Sequence, residues 1–362
     1  MVSHRLAGIF TWTPVLGNKT RTQPANKTIV PKVVKHNAVG HIFQSDQVCN
    51  LDRWLQIVVT PGIEELTVQL STKSGRYYNF PCLSRLELCD VDITGDQLGS
   101  LLHNSFALQR LKLSLLHVIE IKAQNLYNFQ FRGHTQVQLP LGVALQLKKL
   151  VMSFPGAVSY VCADFPSSLQ YVEALTICSS YEMIDTPVLP SKFLHLKYLS
   201  VDLSAAAFPP TYDYCSLISL FDASPSLETL VMNVLQMIML QDSIMGDTSH
   251  LREMPGHRHD SLKTVKIIGF SSAKSLVELT CHIIENTTSL ECLTLDTTRG
   301  HSWGSCLTNY TGKCLLLHEE FMVEARKGLL AIKTYVEPKV PFGVKLNVVE
   351  PCRRCHDLES VS

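Results

Sequence analysis

Three groups of residues have types and spacing that could do chemistry. Cys352-Arg-Arg-Cys355-His356 places two thiols two residues apart with a histidine beside them. That spacing suits one half of a zinc site, and the same pentapeptide fits covalent haem attachment. Zinc needs a second pair, and the candidates Cys306 and Cys314 are eight residues apart, which is not a usual ligand spacing. Haem attachment needs an export or organelle route, which the sequence does not show. Thiols packed against the last turn of the fold are the simpler expectation. His257, His259 and Asp260 crowd the run GHRHD. A histidine–carboxylate pair can act as a general base, but no glycine-flanked serine nucleophile accompanies it. A polar loop is expected there instead. Glu319, Glu320 and Glu324 lie at helical spacing, where carboxylates make the wet face of an amphipathic helix. There is no Walker-type phosphate loop and no GxGxxG after a strand. The expectation is a non-enzyme with no cofactor and no metal.

What must position side chains in this chain is a short recurring frame. An apolar residue is followed by another three positions on and a third two beyond that. The frame reads IEELTV from Ile63, LSRLEL from Leu83, LQRLKL from Leu108, LYNFQF from Leu126 and LKKLVM from Leu147. It continues as VEALTI from Val172, LKYLSV from Leu196, LETLVM from Leu227, LKTVKI from Leu262 and LECLTL from Leu290. The last two apolar positions are two apart and share one face of a strand. One strand per ~18–35 residues cannot bury that face alone, so successive units must stack into a parallel sheet. This predicts an α/β fold, an irregular leucine-rich-repeat solenoid of about ten units with its sheet on the concave side. Helical returns are predicted over 96–103, 214–222 and 273–285, the last with Leu276, Leu279, Ile283 and Ile284 at helical spacing. A helix over about 319–335, followed by VKLNVVE, is expected to cap the open end of the sheet.

Composition narrows the function. Of 362 residues, 46% are hydrophobic and 18% charged, enough apolar content to fold. Lys plus Arg and Asp plus Glu both number 32, and this neutral balance argues against nucleic-acid or anionic-membrane binding. No apolar run reaches the ~18 residues of a membrane span. The start, MVSHRLAGIFTWTPVLG, lacks an apolar run with a small-residue cleavage site. The 12 cysteines are scattered singly and read as reduced thiols, which suits a nuclear or cytoplasmic protein. On that reading the sequons at Asn18, Asn26, Asn286 and Asn309 are chance matches. Three segments are expected: a poorly structured basic N-terminal segment over 1–50, the repeats over 51–300, and a C-terminal cap and tail over 301–362.

From about Leu51 the words themselves resemble a family. LDRWLQIVVTPGIEELTVQL, VDITGDQLGSLLHNS, LPSKFLHLKYLSVDLS, LREMPGHRHDSLKTVKIIGFSSAKSLVELTCHIIENTTSLECLTLDT and VKLNVVEPCRRCH are similar to the repeat region of plant F-box/leucine-rich-repeat proteins, the grass-expanded F-box/FBD-related group. The resemblance implies the substrate-recognition part of a ubiquitin ligase, with an F-box docking on a Skp-type adaptor and cullin. Residues 1–50 lack the Leu-Pro start and Val-Ser-Arg-x-x-Trp-like end of an F-box. KHNAVGHIFQSD resembles the family's first repeat with part removed. The adaptor and cullin are therefore expected only where an F-box is supplied. Otherwise the chain is an F-box-less binding protein that competes for the same partner.

In each frame the residues before, between and after the last two apolar positions point away from the core. Arg85, Arg110, Lys112, Arg132 and Lys149 fall on these positions, with Glu87 opposing them. With strands ~4.8 Å apart they predict a basic patch that takes an acidic or phosphorylated protein segment. Tyr198 is the one aromatic among the later units and a second candidate contact.

Overall fold

The frame alternates apolar and polar side chains with period two, so each copy makes a strand with one dry side and one wet side. In a computed structural model the described residues are 36–41, 63–69, 84–89, 102, 107–115, 125–133, 146–163, 171–182, 193–205, 212–236, 242–246, 250–254, 256, 258–298 and 319–351. The chain divides into two units, 1–147 and 148–362. Residues 1–35, His257, Cys306, Cys314, Cys352, Cys355 and His356 lie outside the described residues.

The first unit holds β1 (His36–His41), β2 (Ile63–Gln69), β3 (Arg85–Cys89), β4 (Arg110–Leu115) and β5 (Asn128–Gly133). They pair in parallel, each with the next in the chain. Register aligns Leu66, Leu86, Leu111 and Phe129 in one column and Val68, Leu88, Leu113 and Phe131 in a second. Leu86, Leu111 and Phe129 are buried, as are Leu88, Leu113 and Phe131. β1 is a rung made by HNAVGH, inside the 1–50 segment expected to be loose, and its register slips between His36 and Asn37.

The second unit holds β6 (Lys149–Ser153), β7 (Ala174–Ser179), β8 (Tyr198–Ala205), β9 (Thr229–Gln236), β10 (Thr264–Ile268), β11 (Cys292–Asp296) and β12 (Lys345–Val349). These too pair in parallel and in chain order. Leu150, Leu175, Leu199, Leu230, Val265 and Leu293 share a column and are at most 1% exposed. Each rung is locked where the strand begins. The Lys148 carbonyl accepts from the amides of Glu173 and Ala174, and the Glu173 carbonyl accepts from Lys197 and Tyr198. Lys197, Glu228 and Lys263 repeat the arrangement, so buried backbone groups between frames are satisfied.

Parallel pairing requires returns, and they cover the dry side. α1 (Ala157–Ala163) follows Gly156, whose φ of 79° favours glycine. The buried Glu182 carboxylate accepts from the amides of Val158 (2.7 Å) and Ser159 (3.1 Å) in its first turn. The return expected over 214–222 is a 3-10 turn, Tyr214–Leu217, running into α2 (Ile218–Asp222). α3 (Lys274–Asn286) buries Leu276, Leu279, Ile283 and Ile284 as its spacing predicts. Glu278 and His282 are buried as well, on the face where its polar residues lie, while Thr280 sits on the apolar face and donates its hydroxyl to the Leu276 carbonyl (2.7 Å). The expected C-terminal helix–strand unit is α4 (Glu319–Ala331), a π-helical turn over Ile332–Val336, and β12 as one more rung. A Cβ on Gly328 would stand 3.3 Å from the Phe270 carbonyl oxygen, so α4 packs backbone against backbone there. Glu319 and Glu320 face water, but Glu324 departs from that reading. It accepts from both the amide and the hydroxyl of Ser272 at 2.7 Å.

Candidate protein-interaction face

The wet side of each ladder is ordered by the same register as the core. In the first unit Arg85, Arg110 and Asn128 form one row across neighbouring strands. Glu87, Lys112 and Gln130 form the next, and Ser114 stands opposite Arg132 in the third. The register thus brings together four of the expected cations: Arg85, Arg110, Lys112 and Arg132. Arg110, Lys112 and Arg132 are exposed and Arg85 is half-buried. Glu87 lies lower than the cations, with 15% of its side chain exposed against 47% for Lys112 and 43% for Arg85. It pairs with the Lys112 ammonium and lies 3.8 Å from the Arg85 guanidinium. One carboxylate lies beneath these two cations, and each such pair at the surface is worth ~0–1 kcal/mol. Arg85, Arg110, Lys112 and Arg132 together outweigh Glu87, so the rows taken together stay net basic.

Lys149 and Tyr198 lie on the wet side of the second unit, in one row separated by Ala174. Lys149 is exposed, and Tyr198 is flanked in register by the small residues Ala174 and Thr229. Beside this row the structure adds exposed apolar groups outside the frame's outward positions, so the frame could not single them out. Tyr171 stacks on His195, ring centres 5.5 Å apart and planes 22° apart, and Leu194 is exposed next to them. A second missed feature is a row of alternating charge where the strands begin: Lys148, Glu173, Lys197, Glu228, Lys263 and Glu291. Lys148 and Glu173 are 2.8 Å apart, and that hydrogen bond, with the nearby Lys197 and His195, holds the Glu173 carboxyl below the usual carboxylate range. The alternation favours each strand beside its own neighbour and offers an outside partner no net charge.

In the GHRHD run, Arg258, His259 and Asp260 form a clasp. The His259 amide donates to the Asn286 carbonyl (2.8 Å), and Asp260 accepts from Arg258 and from the Thr288 hydroxyl, each at 2.8 Å. His259 is buried with its Nε2 3.4 Å from the Asp222 carboxylate. The segment 250–254 runs over α3, with the Arg252 amide donating to Glu278 (3.0 Å). Arg252 binds Asp213 (2.6 and 2.9 Å) and the buried Glu278 (2.6 Å), walling a groove of about 900 Å³. Lys339, on its other wall, pairs with Glu285. The groove's charges answer one another, and it offers no strong single-sign site. The Asn286 sequon is engaged in the same region, since its Nδ2 lies 3.2 Å from His282 Nδ1 and donates to the His282 carbonyl at 2.9 Å. Among the described residues no three His, Cys, Asp or Glu side chains are grouped to hold a metal ion. Among them, also, no helix is long and apolar enough to cross a membrane.

A family model described as At1g61320/AtMIF1, LRR domain, matches residues 28–84 and 112–353, more than half of the chain. The matched stretches include β1 and β12. The description names a leucine-rich-repeat domain and no F-box. No curated protein matches the chain.

Proposed function

The chain belongs to the At1g61320/AtMIF1 leucine-rich-repeat domain family, and on that premise we propose that it binds another protein along the wet side of its strands. The observation that supports this reading most is the first unit's basic rows. Arg85, Arg110, Lys112 and Arg132 stand on neighbouring strands ~4.8 Å apart. An extended segment carrying carboxylates or phosphates at similar intervals matches that spacing, and arginine forks suit both oxyanions. Lys149 and Tyr198 are the contacts proposed on the second unit. The bound protein is a ubiquitination target, and the chain acts as the recognition arm of an F-box-type ligase when an F-box is supplied.

Two experiments test this. A fluorescein-labelled peptide rich in glutamate and phosphoserine is titrated into the full chain at several salt concentrations. It binds, and binding weakens with salt. The Arg110→Glu/Lys112→Glu variant loses about tenfold or more in affinity, ~1.4 kcal/mol. Unchanged affinity with unchanged salt dependence refutes the patch. Copurification of a Skp-type adaptor and a cullin with the chain bears on the ligase role. Their absence leaves a protein that captures the same partner without delivering it.

A further inference from the structure

The second unit ends on a strand with an unusual edge. β12 pairs with β11 on one side, and no described residue pairs with its other side. The Lys345 amide donates to the Glu291 carbonyl (2.9 Å), and the Val349 carbonyl accepts from the Thr297 amide (2.9 Å). Alternate residues of a strand direct both backbone groups to the same side. Odd-numbered positions therefore serve β11, while Leu346 and Val348 direct N–H and C=O outward. The edge is also thinly covered. Leu346 and Val348 are half-buried, whereas Leu293 and Leu295, their register partners on β11, are fully buried. Phe342, three residues before the strand, and Val349, its last residue, are exposed.

We propose that the edge pairs with a second copy of this chain, β12 running antiparallel to β12 about a two-fold axis at Asn347. That register sets Leu346 opposite Val348 of the second copy. These are the residues whose backbone groups point outward, so each pair exchanges two hydrogen bonds, four across the axis. Leu346 and Val348 share the dry face of the strand, and pairing them continues the apolar layer from one copy into the next. Asn347, on the axis, is drawn toward β11. Its Nδ2 donates to Cys292 Sγ (3.2 Å) and Thr294 Oγ1 (3.3 Å). In that register Lys345 stands opposite Val349 of the second copy, one residue from its Glu350, so opposite charges lie near one another at both ends. An open edge of this kind invites unwanted pairing, and a closed two-fold dimer removes the hazard.

Sedimentation of the full chain over a wide concentration range tests the pairing, and it shows a reversible dimer. Val348→Pro removes an N–H that points outward and leaves the β11 ladder whole, so it gives a folded monomer with an unchanged circular-dichroism spectrum. Asn347→Pro removes an inward N–H and lowers the unfolding midpoint, which separates the two sides of the strand. Lys345→Glu, at an exposed position, keeps the fold and weakens the dimer several-fold, and serves if Val348→Pro does not fold. Hydrogen exchange at Leu346 and Val348 slows as protein concentration rises. A chain that stays monomeric throughout overturns the proposal. So does a dimer untouched by both Val348→Pro and Lys345→Glu, or exchange protection independent of concentration, which would mean the chain covers its own edge.

Discussion

Replacing Leu199 by alanine tests how the second unit is held together. Leu199 is fully buried and sits in register between Leu175 and Leu230, both also fully buried. Strand spacing of ~4.8 Å on either side is set by backbone hydrogen bonds, so the neighbours cannot close over the space left behind. Three carbons at ~0.8 kcal/mol each amount to ~2.4 kcal/mol of lost transfer energy. The uncollapsed cavity raises the expected cost to ~3–4 kcal/mol, within the range of buried leucine truncations. Ser200→Ala, one residue on and facing water, should change stability by less than ~0.5 kcal/mol. Urea unfolding followed by circular dichroism at fixed protein concentration measures both. A loss below ~1 kcal/mol for Leu199→Ala, or an equal loss for the two variants, refutes the shared buried column.

Two further outcomes follow from buried groups of the second unit. Burial lowers the proton affinity of His282 below that of an ordinary imidazole, with the Asp222 and Glu285 carboxylates opposing the shift in part. The unfolded chain then binds the proton more readily, so this contribution is present above pH 6.5 and is lost as pH falls from there toward the folded value. Thermal unfolding from about pH 8 to about pH 5 shows the loss, and His282→Gln flattens it; an identical slope in the variant refutes the assignment. Burial also pushes the Cys162 thiol up to about 12 and the Cys281 thiol up to about 11. Both should resist iodoacetamide near neutral pH in the native chain and react once it is unfolded in urea, as mass spectrometry of the labelled peptides can establish.

The core was legible because its signal is local. Leu86, Leu111, Leu150, Leu199 and Leu293 each declare their face through an apolar partner two residues away. The outward cations followed from the same parity, and register then gathered Arg85, Arg110, Lys112 and Arg132. β1 and β12 did not fit the search. HNAVGH has alanine and glycine in its strand, and Gly343 stands where the frame of KLNVV calls for its first apolar residue. The Lys148–Glu291 charge row escaped because its successive members are 24–35 residues apart and have meaning only once strand order is known. Glu278 and His282 escaped for a different reason. They occupy the polar face of an amphipathic helix, which reads as wet, but the segment 250–254 folds over that face and Arg252 neutralises Glu278. Tyr171 and His195 lie outside the frame's outward positions, and only their stacking singles them out.

The central claim is that successive repeats stack as parallel strands in chain order and so present a ruled outer face. Nitroxide labels at Thr176 on β7 and Thr294 on β11, read by electron–electron double resonance in the full chain, test it directly. The two positions share a row through Ser200, Val231 and Lys266. Four strand spacings put their backbones about 19 Å apart. A single narrow distribution within a few ångströms of that distance, allowing for the label arms, is the predicted result. A broad distribution, or a mean beyond about 30 Å, contradicts the stacked-strand order on which the binding face depends.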